Sequence, residues 1–101
     1  MDKIDHIAIV VKDPREAVIW YTSNFGASTL YCDDTWGMVQ FKNIKLAFVI
    51  KGQHPPHIAF KTPDLHASQG KTHRDGSRSV YKADPWGNIL EYVKYKEEDK
   101  E

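Results

Sequence analysis

The sequence predicts an α+β domain in which one supersecondary unit is written twice. Three observations lead there. The stretch HIAIVVKD at residues 6–13 returns as HIAFKTPD at residues 57–64. After the first copy, a helical pattern and then three short strand-like runs follow in order. After the second copy the same order recurs with a trimmed helix and a missing or very short strand. His57 lies 51 residues beyond His6, and a repeat of that length marks one unit duplicated, each half burying a face against the other.

In the first half, Ile4–Val11 is β-branched and apolar and reads as a strand. Asp13 can cap a helix, Pro14 suits its first turn, and Glu16 stands where a capping-box acid belongs. Ala17, Trp20, Tyr21 and Phe25 fall at helical spacing and predict one apolar face, and Gly26 is the expected stop. Ser28–Cys32, Trp36–Phe41 and Leu46–Ile50 are expected strands. Asp33-Asp34 and Lys42-Asn43 turn the chain between them. GQHPP at residues 52–56 reads as a linker.

In the second half, His57–Lys61 is a strand and Asp64 can cap a helix of one or two turns before Gly70. KTHRDGS is polar and turn-rich. Arg78–Lys82 and Ile89–Tyr95 are strands around the turn Asp84-Pro85-Trp86-Gly87-Asn88, and the charged tail 96–101 frays. The division is therefore module one at 1–52 and module two at 53–95, both within a single domain of 101 residues.

Composition narrows the function classes. Hydrophobic residues make up 41% and charged residues 28%, as in a globular protein, and the formal net charge is zero. No global field draws nucleic acid or an anionic membrane surface, so neither is an expected partner. No apolar run approaches a membrane span and no signal-peptide pattern opens the chain. The lone Cys32 can form no internal disulfide, which makes the cytoplasm the expected compartment. It has no cationic neighbour in sequence to lower its pKa and is not read as a nucleophile.

His6 shares a strand face with Ala8 and Val10, and His57 shares one with Ala59. If the two units are related by a pseudo-twofold axis, these imidazoles approach each other beside small neighbours. Imidazole is the commonest protein ligand of transition metals, although a structural histidine is the more frequent role for either residue alone. Glu91 interrupts the apolar run Ile89–Val93. It is either a partner for the histidines or an edge-strand charge. His54, His66 and His73 lie in linker or loop context and read as solvated. Trp36, Phe48 and Arg78 are expected to line a substrate cleft, with packing as the ordinary alternative. Tyr81 or Lys82 can supply an acid–base group, and alternation lets only one of them face inward.

DHIAIVVKDP with its helix, HIAFKTPDL, and RSVYKADPWGNILEYV together resemble the vicinal oxygen chelate superfamily, which includes glyoxalase I, bleomycin-resistance proteins and extradiol ring-cleavage dioxygenases. The last stretch is similar to the closing DPxGNxxE hairpin of that fold. The resemblance covers the chain up to the charged tail. It implies two βαβββ modules in a pseudo-twofold arrangement that form a curved mixed sheet, the second with a shortened helix. It also implies metal ligands from the first and last strands of each module, which are His6, His57 and Glu91. The fourth position falls on Ala47, which cannot ligate, so the chain departs from the four-ligand glyoxalase I pattern. Two histidines and one carboxylate resemble the iron site of the dioxygenases, with Fe(II) first and Mn²⁺ or Zn²⁺ as alternatives. The implied substrate is small and chelates through adjacent oxygens, as a catechol or a 2-oxo acid does. The additional histidine and tyrosine of the dioxygenase relatives have no match assigned here. A metal-free binding protein of the bleomycin-resistance type is the competing reading, and a homodimer is expected because the small chain leaves apolar sheet surface to cover.

Overall fold

The computed structural model describes residues 1–62, 71–72 and 77–95. Its elements are β1 (Lys3–Val10), α1 (Pro14–Phe25), β2 (Ser28–Cys32), β3 (Trp36–Gln40), β4 (Lys45–Val49), β5 (His57–Lys61), β6 (Lys71–Thr72), β7 (Arg78–Ala83) and β8 (Ile89–Lys94). The chain divides into two compact units, His6–His57 and a second made of Met1–Asp5 with Ile58–Glu101. The break thus falls beside the two repeated histidines rather than in the linker.

In the His6–His57 unit the strand order is β2-β3-β4-β1. β2, β3 and β4 form an antiparallel meander, and β4 returns parallel to β1, with Ala8 opposite Ala47 and Val10 opposite Val49. Such a parallel return needs a crossover, and α1 provides part of it. The helix starts where the residues direct it. The Asp13 carboxylate accepts from the Arg15 amide at 3.0 Å, and Pro14 occupies the first turn. Gly26 ends it at φ 71°, a left-handed conformation in which its amide still reaches the Thr22 carbonyl at 3.1 Å.

The buried stripe of α1 differs from the expected one. Val18 is buried against Val39 and Phe48, with Ala17 and Tyr21 alongside, whereas Trp20 and Phe25 are more than half exposed. The aromatic residues pack instead on one another, with Trp20–Tyr21 centroids at 4.9 Å and Trp20–Phe25 at 5.7 Å. Gly37 lets the helix approach β3 closely, since a Cβ there would lie 2.9 Å from Val18 Cγ2.

In the other unit the order is β5-β8-β7-β6, with β8 parallel to β5 and antiparallel to β7. The described strands repeat the connectivity of the first unit. The fourth strand that the sequence left doubtful is present as β6, only two residues long and paired with β7. The shortened helix expected after Asp64 lies outside the described residues. Asp84 organises the β7–β8 hairpin by accepting from the amides of Trp86 (2.9 Å) and Asn88 (2.8 Å), while Gly87 takes φ 87°. The Tyr95 hydroxyl donates to the buried Asp5 carboxylate at 2.5 Å and ties the start of the chain to the end of β8.

Candidate functional site

Both repeated histidines are buried, each 8% exposed. Their rings meet edge to face with centroids 5.5 Å apart. Two neutral imidazoles gain little from each other in an apolar setting, but at this spacing both can address one ion. His57 Nδ1 lies 2.8 Å from the Pro55 carbonyl oxygen. A carbonyl can only accept, so Nδ1 carries a proton, and Nε2 is the nitrogen left to offer a lone pair in the neutral ring. The Pro55-Pro56 segment before β5 therefore fixes both the tautomer and the ring orientation, as a partner behind a metal-binding histidine does.

The strand register assigns each remaining candidate to a face. In the His6–His57 unit, His6, Ala8 and Val10 of β1 share a face with Lys45, Ala47 and Val49 of β4 and with Trp36 and Met38 of β3. Ala8, Ala47 and Val49 form a small apolar cluster with Met38 packed on it. Trp36 is half-buried on this face and stacks on Tyr31, centroids 4.5 Å apart. Phe48, expected in a cleft, points the other way. It is fully buried and packs on Tyr21 at 5.0 Å, beneath α1, because β4 alternates and Ala47 takes the His6 face. Lys45, paired with His6 in register, is a neighbour that the repeat pattern did not flag. Its only sequence signal was its place one residue before the expected strand.

In the second unit, Ala59 of β5, Glu91 and Val93 of β8, and Ser79 and Tyr81 of β7 share one face. Within β5, His57 and Ala59 share a strand face by alternation. Glu91 is 6% exposed. A carboxylate so placed is costly unless hydrogen-bonded or charge-paired, and Tyr81, opposite it in register, hydrogen-bonds to it. Partial burial first, then the Glu91 charge and that hydrogen bond, push the Tyr81 hydroxyl up to about 12. Of the Tyr81–Lys82 pair, Tyr81 faces Glu91, while the Lys82 ammonium lies 5.5 Å over the Tyr92 ring on the reverse face. Arg78 is on that reverse face too, opposite Lys94, so it does not join Glu91.

Other sequence candidates are elsewhere. His54 is exposed, and His66 and His73 lie outside the described residues. Cys32 is a half-buried free thiol. A surface depression bordered by Lys12, Asp13, Pro14, Glu16 and Asp34 holds none of the site residues. No helix among the described residues is long and apolar enough to cross a membrane.

Comparison with known proteins agrees with this topology. No protein of curated function matches the chain. Among solved structures, a Streptomyces coelicolor methylmalonyl-CoA epimerase variant in complex with 2-nitronate-propionyl-CoA superposes with a TM-score of 0.75 at 20% identity, covering 93% of this chain and 97% of that one. A methylmalonyl-CoA epimerase bound to methylmalonyl-CoA and NH4+ gives 0.75 at 18% identity, covering 95% and 96%. The Mycobacterium tuberculosis methylmalonyl-CoA epimerase gives 0.66 at 18% identity, covering 92% and 87%. At such identities the likeness is one of fold. A family model also matches residues 3–80, from the first strand into β7. The chain belongs to the Glyoxalase/Bleomycin resistance protein/Dioxygenase superfamily.

Proposed function

We propose that the protein is a small metal-dependent enzyme in which His6, His57 and Glu91 hold one divalent ion. The observation that carries the reading is that all three are buried and each offers one ligand atom to a metal. Their chemistry suits an ion of borderline hardness, Fe(II) first and Mn²⁺ or Zn²⁺ next. Once bound, the ion would supply Lewis-acid polarisation and open positions for a substrate that chelates through two adjacent oxygens. The chain's own contributions are the His57 tautomer set by Pro55 and the alanines that leave space around the ligands. Lys45, beside His6, supplies a cation for an anionic substrate.

Two reaction types follow from that site. Oxygenation is the first, because two histidines and one carboxylate leave room for substrate and O₂. Proton transfer next to a thioester or carboxylate is the second, prompted by the acyl-CoA ligands named for the epimerase structures. A second copy of the chain would cover the exposed Ile19, Trp20 and Phe25 of α1, so a homodimer belongs to the proposal.

The test is to purify the chain without tag histidines and titrate Fe(II), Mn²⁺ and Zn²⁺ anaerobically against wild type and His57→Ala. One tight equivalent per chain, lost in the variant, supports the site. Oxygen uptake with catechols or 2-oxo acids then supports oxygenation, while anaerobic exchange of the substrate's α-hydrogen with solvent supports proton transfer. Equal binding by wild type and variant overturns the metal site and leaves a metal-free binding protein as the reading.

A further inference from the structure

The assignment for Tyr81 rests on the metal reading above and sharpens it. Across β5, β8 and β7 the register sets Ala59, Glu91 and Tyr81 in one row on one face. Ala59 is completely buried and has no polar side-chain atom to give the carboxylate, whereas Tyr81 gives a hydroxyl. The terminal torsion of a glutamate is broad and roughly two-fold, so a carboxylate without a fixed partner samples many orientations. A donor on the adjacent strand removes that freedom, because paired strand backbones hold its position. We infer that Tyr81 is a positioning residue: its hydroxyl engages one oxygen of Glu91 and turns the other toward the ion that His6 and His57 share.

Tyr81 does not touch the ion in this scheme and needs no change of protonation. Its partial exposure, 42%, means that losing the hydroxyl leaves the core intact. Partners behind a ligand typically contribute 10- to 100-fold in metal affinity, and that is the range expected here.

The experiment uses Co²⁺ as the probe, whose visible absorption reports ligand geometry. Wild type, Tyr81→Phe, Tyr81→Gln and Lys82→Gln are titrated with Co²⁺, and the thermal midpoint of each is measured without metal. Tyr81→Phe should bind Co²⁺ about 10- to 100-fold more weakly, with shifted bands, and should also lower the metal-free midpoint because the buried Glu91 loses a donor. Tyr81→Gln, which keeps a side-chain donor, should recover part of the affinity and still answer the question if the phenylalanine variant fails to fold. Lys82→Gln, on the reverse face of the same strand, should match wild type. A Tyr81→Phe variant with wild-type affinity and spectrum overturns the positioning role and leaves the metal site standing. A wild type that shows no Co²⁺ spectrum overturns both.

Discussion

β4 and β8 occupy the same place in the two repeats, yet they carry opposite chemistry. In the first, Ala8 pairs with Ala47. In the second, Ala59, the repeat of Ala8, pairs with Glu91. The face around Ala47 is apolar, built with Val49 and Met38, while the face around Glu91 buries Ser77 and Ser79 as well. The reverse faces differ too. Phe48 has no exposed surface beneath α1, whereas Tyr92, its counterpart, is half-exposed beside Phe60. Duplication has therefore kept the backbone pairing and let each half specialise: one half carries the tighter core under α1, and the other carries the carboxylate.

The sharpest way to break this comparison is Phe48→Ala against Tyr92→Ala. The first opens a cavity in a packed cluster and should cost about 3–5 kcal/mol in chemical denaturation. The second removes a half-exposed ring and should cost about 1–1.5 kcal/mol. Equal losses would show that the two reverse faces are equally packed.

Exchanging the chemistry of the two positions comes next. Glu91→Ala should weaken metal binding by about 100-fold or more in a competition titration, beyond what loss of a partner behind a ligand costs. Ala47→Glu puts a carboxylate into an apolar cluster. It should lower the thermal midpoint without metal and regain it when Zn²⁺ is added. A Zn²⁺-induced gain no larger than that of wild type would separate Ala47 from the ligand set.

Gly37→Ala probes the close approach of α1 to β3. Its new methyl must displace Val18 and should cost about 1–3 kcal/mol, with the loss read from the denaturation midpoint. The smallest effect concerns the two hairpins organised by aspartate. Asp33 accepts from Thr35 and Trp36 and from the Tyr31 hydroxyl, and Asp84 accepts from Asn88 and Trp86. Hydrogen bonds, chiefly from Tyr31 and Asn88 respectively, hold both carboxyls below the ordinary carboxylate value. The stability they lend is thus present above about pH 4 and fades as the pH falls below it. Both groups are exposed, so the change is slight, and the variant Asp84→Asn should flatten it in an acid titration followed by Trp86 fluorescence.

Much of this was legible locally. The Asp13-Pro14 start and Gly26 stop of α1 follow from capping rules, and the Asp84–Asn88 turn from the chemistry of its residues. Five of the strands begin at the residue expected: Ser28, Trp36, His57, Arg78 and Ile89. The repeat pointed to His6 and His57 because each opens a copy of the same His-Ile-Ala stretch, and a charge inside an apolar run pointed to Glu91. The caps and turns are read within a few residues of chain, whereas the repeat is read by comparing two stretches 51 residues apart.

The tertiary structure decided which face each side chain takes and what meets it there. Trp20 and Phe25 have the spacing of a buried stripe, yet the docking of α1 on β3 and β4 selects Val18. Phe48 and Arg78 have the composition of cleft residues, yet register turns them away from His6 and Glu91 respectively. The hold of Pro55 on His57 and the row Ala59–Glu91–Tyr81 have no signature in the one-dimensional pattern, and the place of Lys45 beside His6 has only its position next to an expected strand. Pairing between strands set far apart in sequence creates them, and a shift of one residue in that pairing would send every side chain to the opposite face.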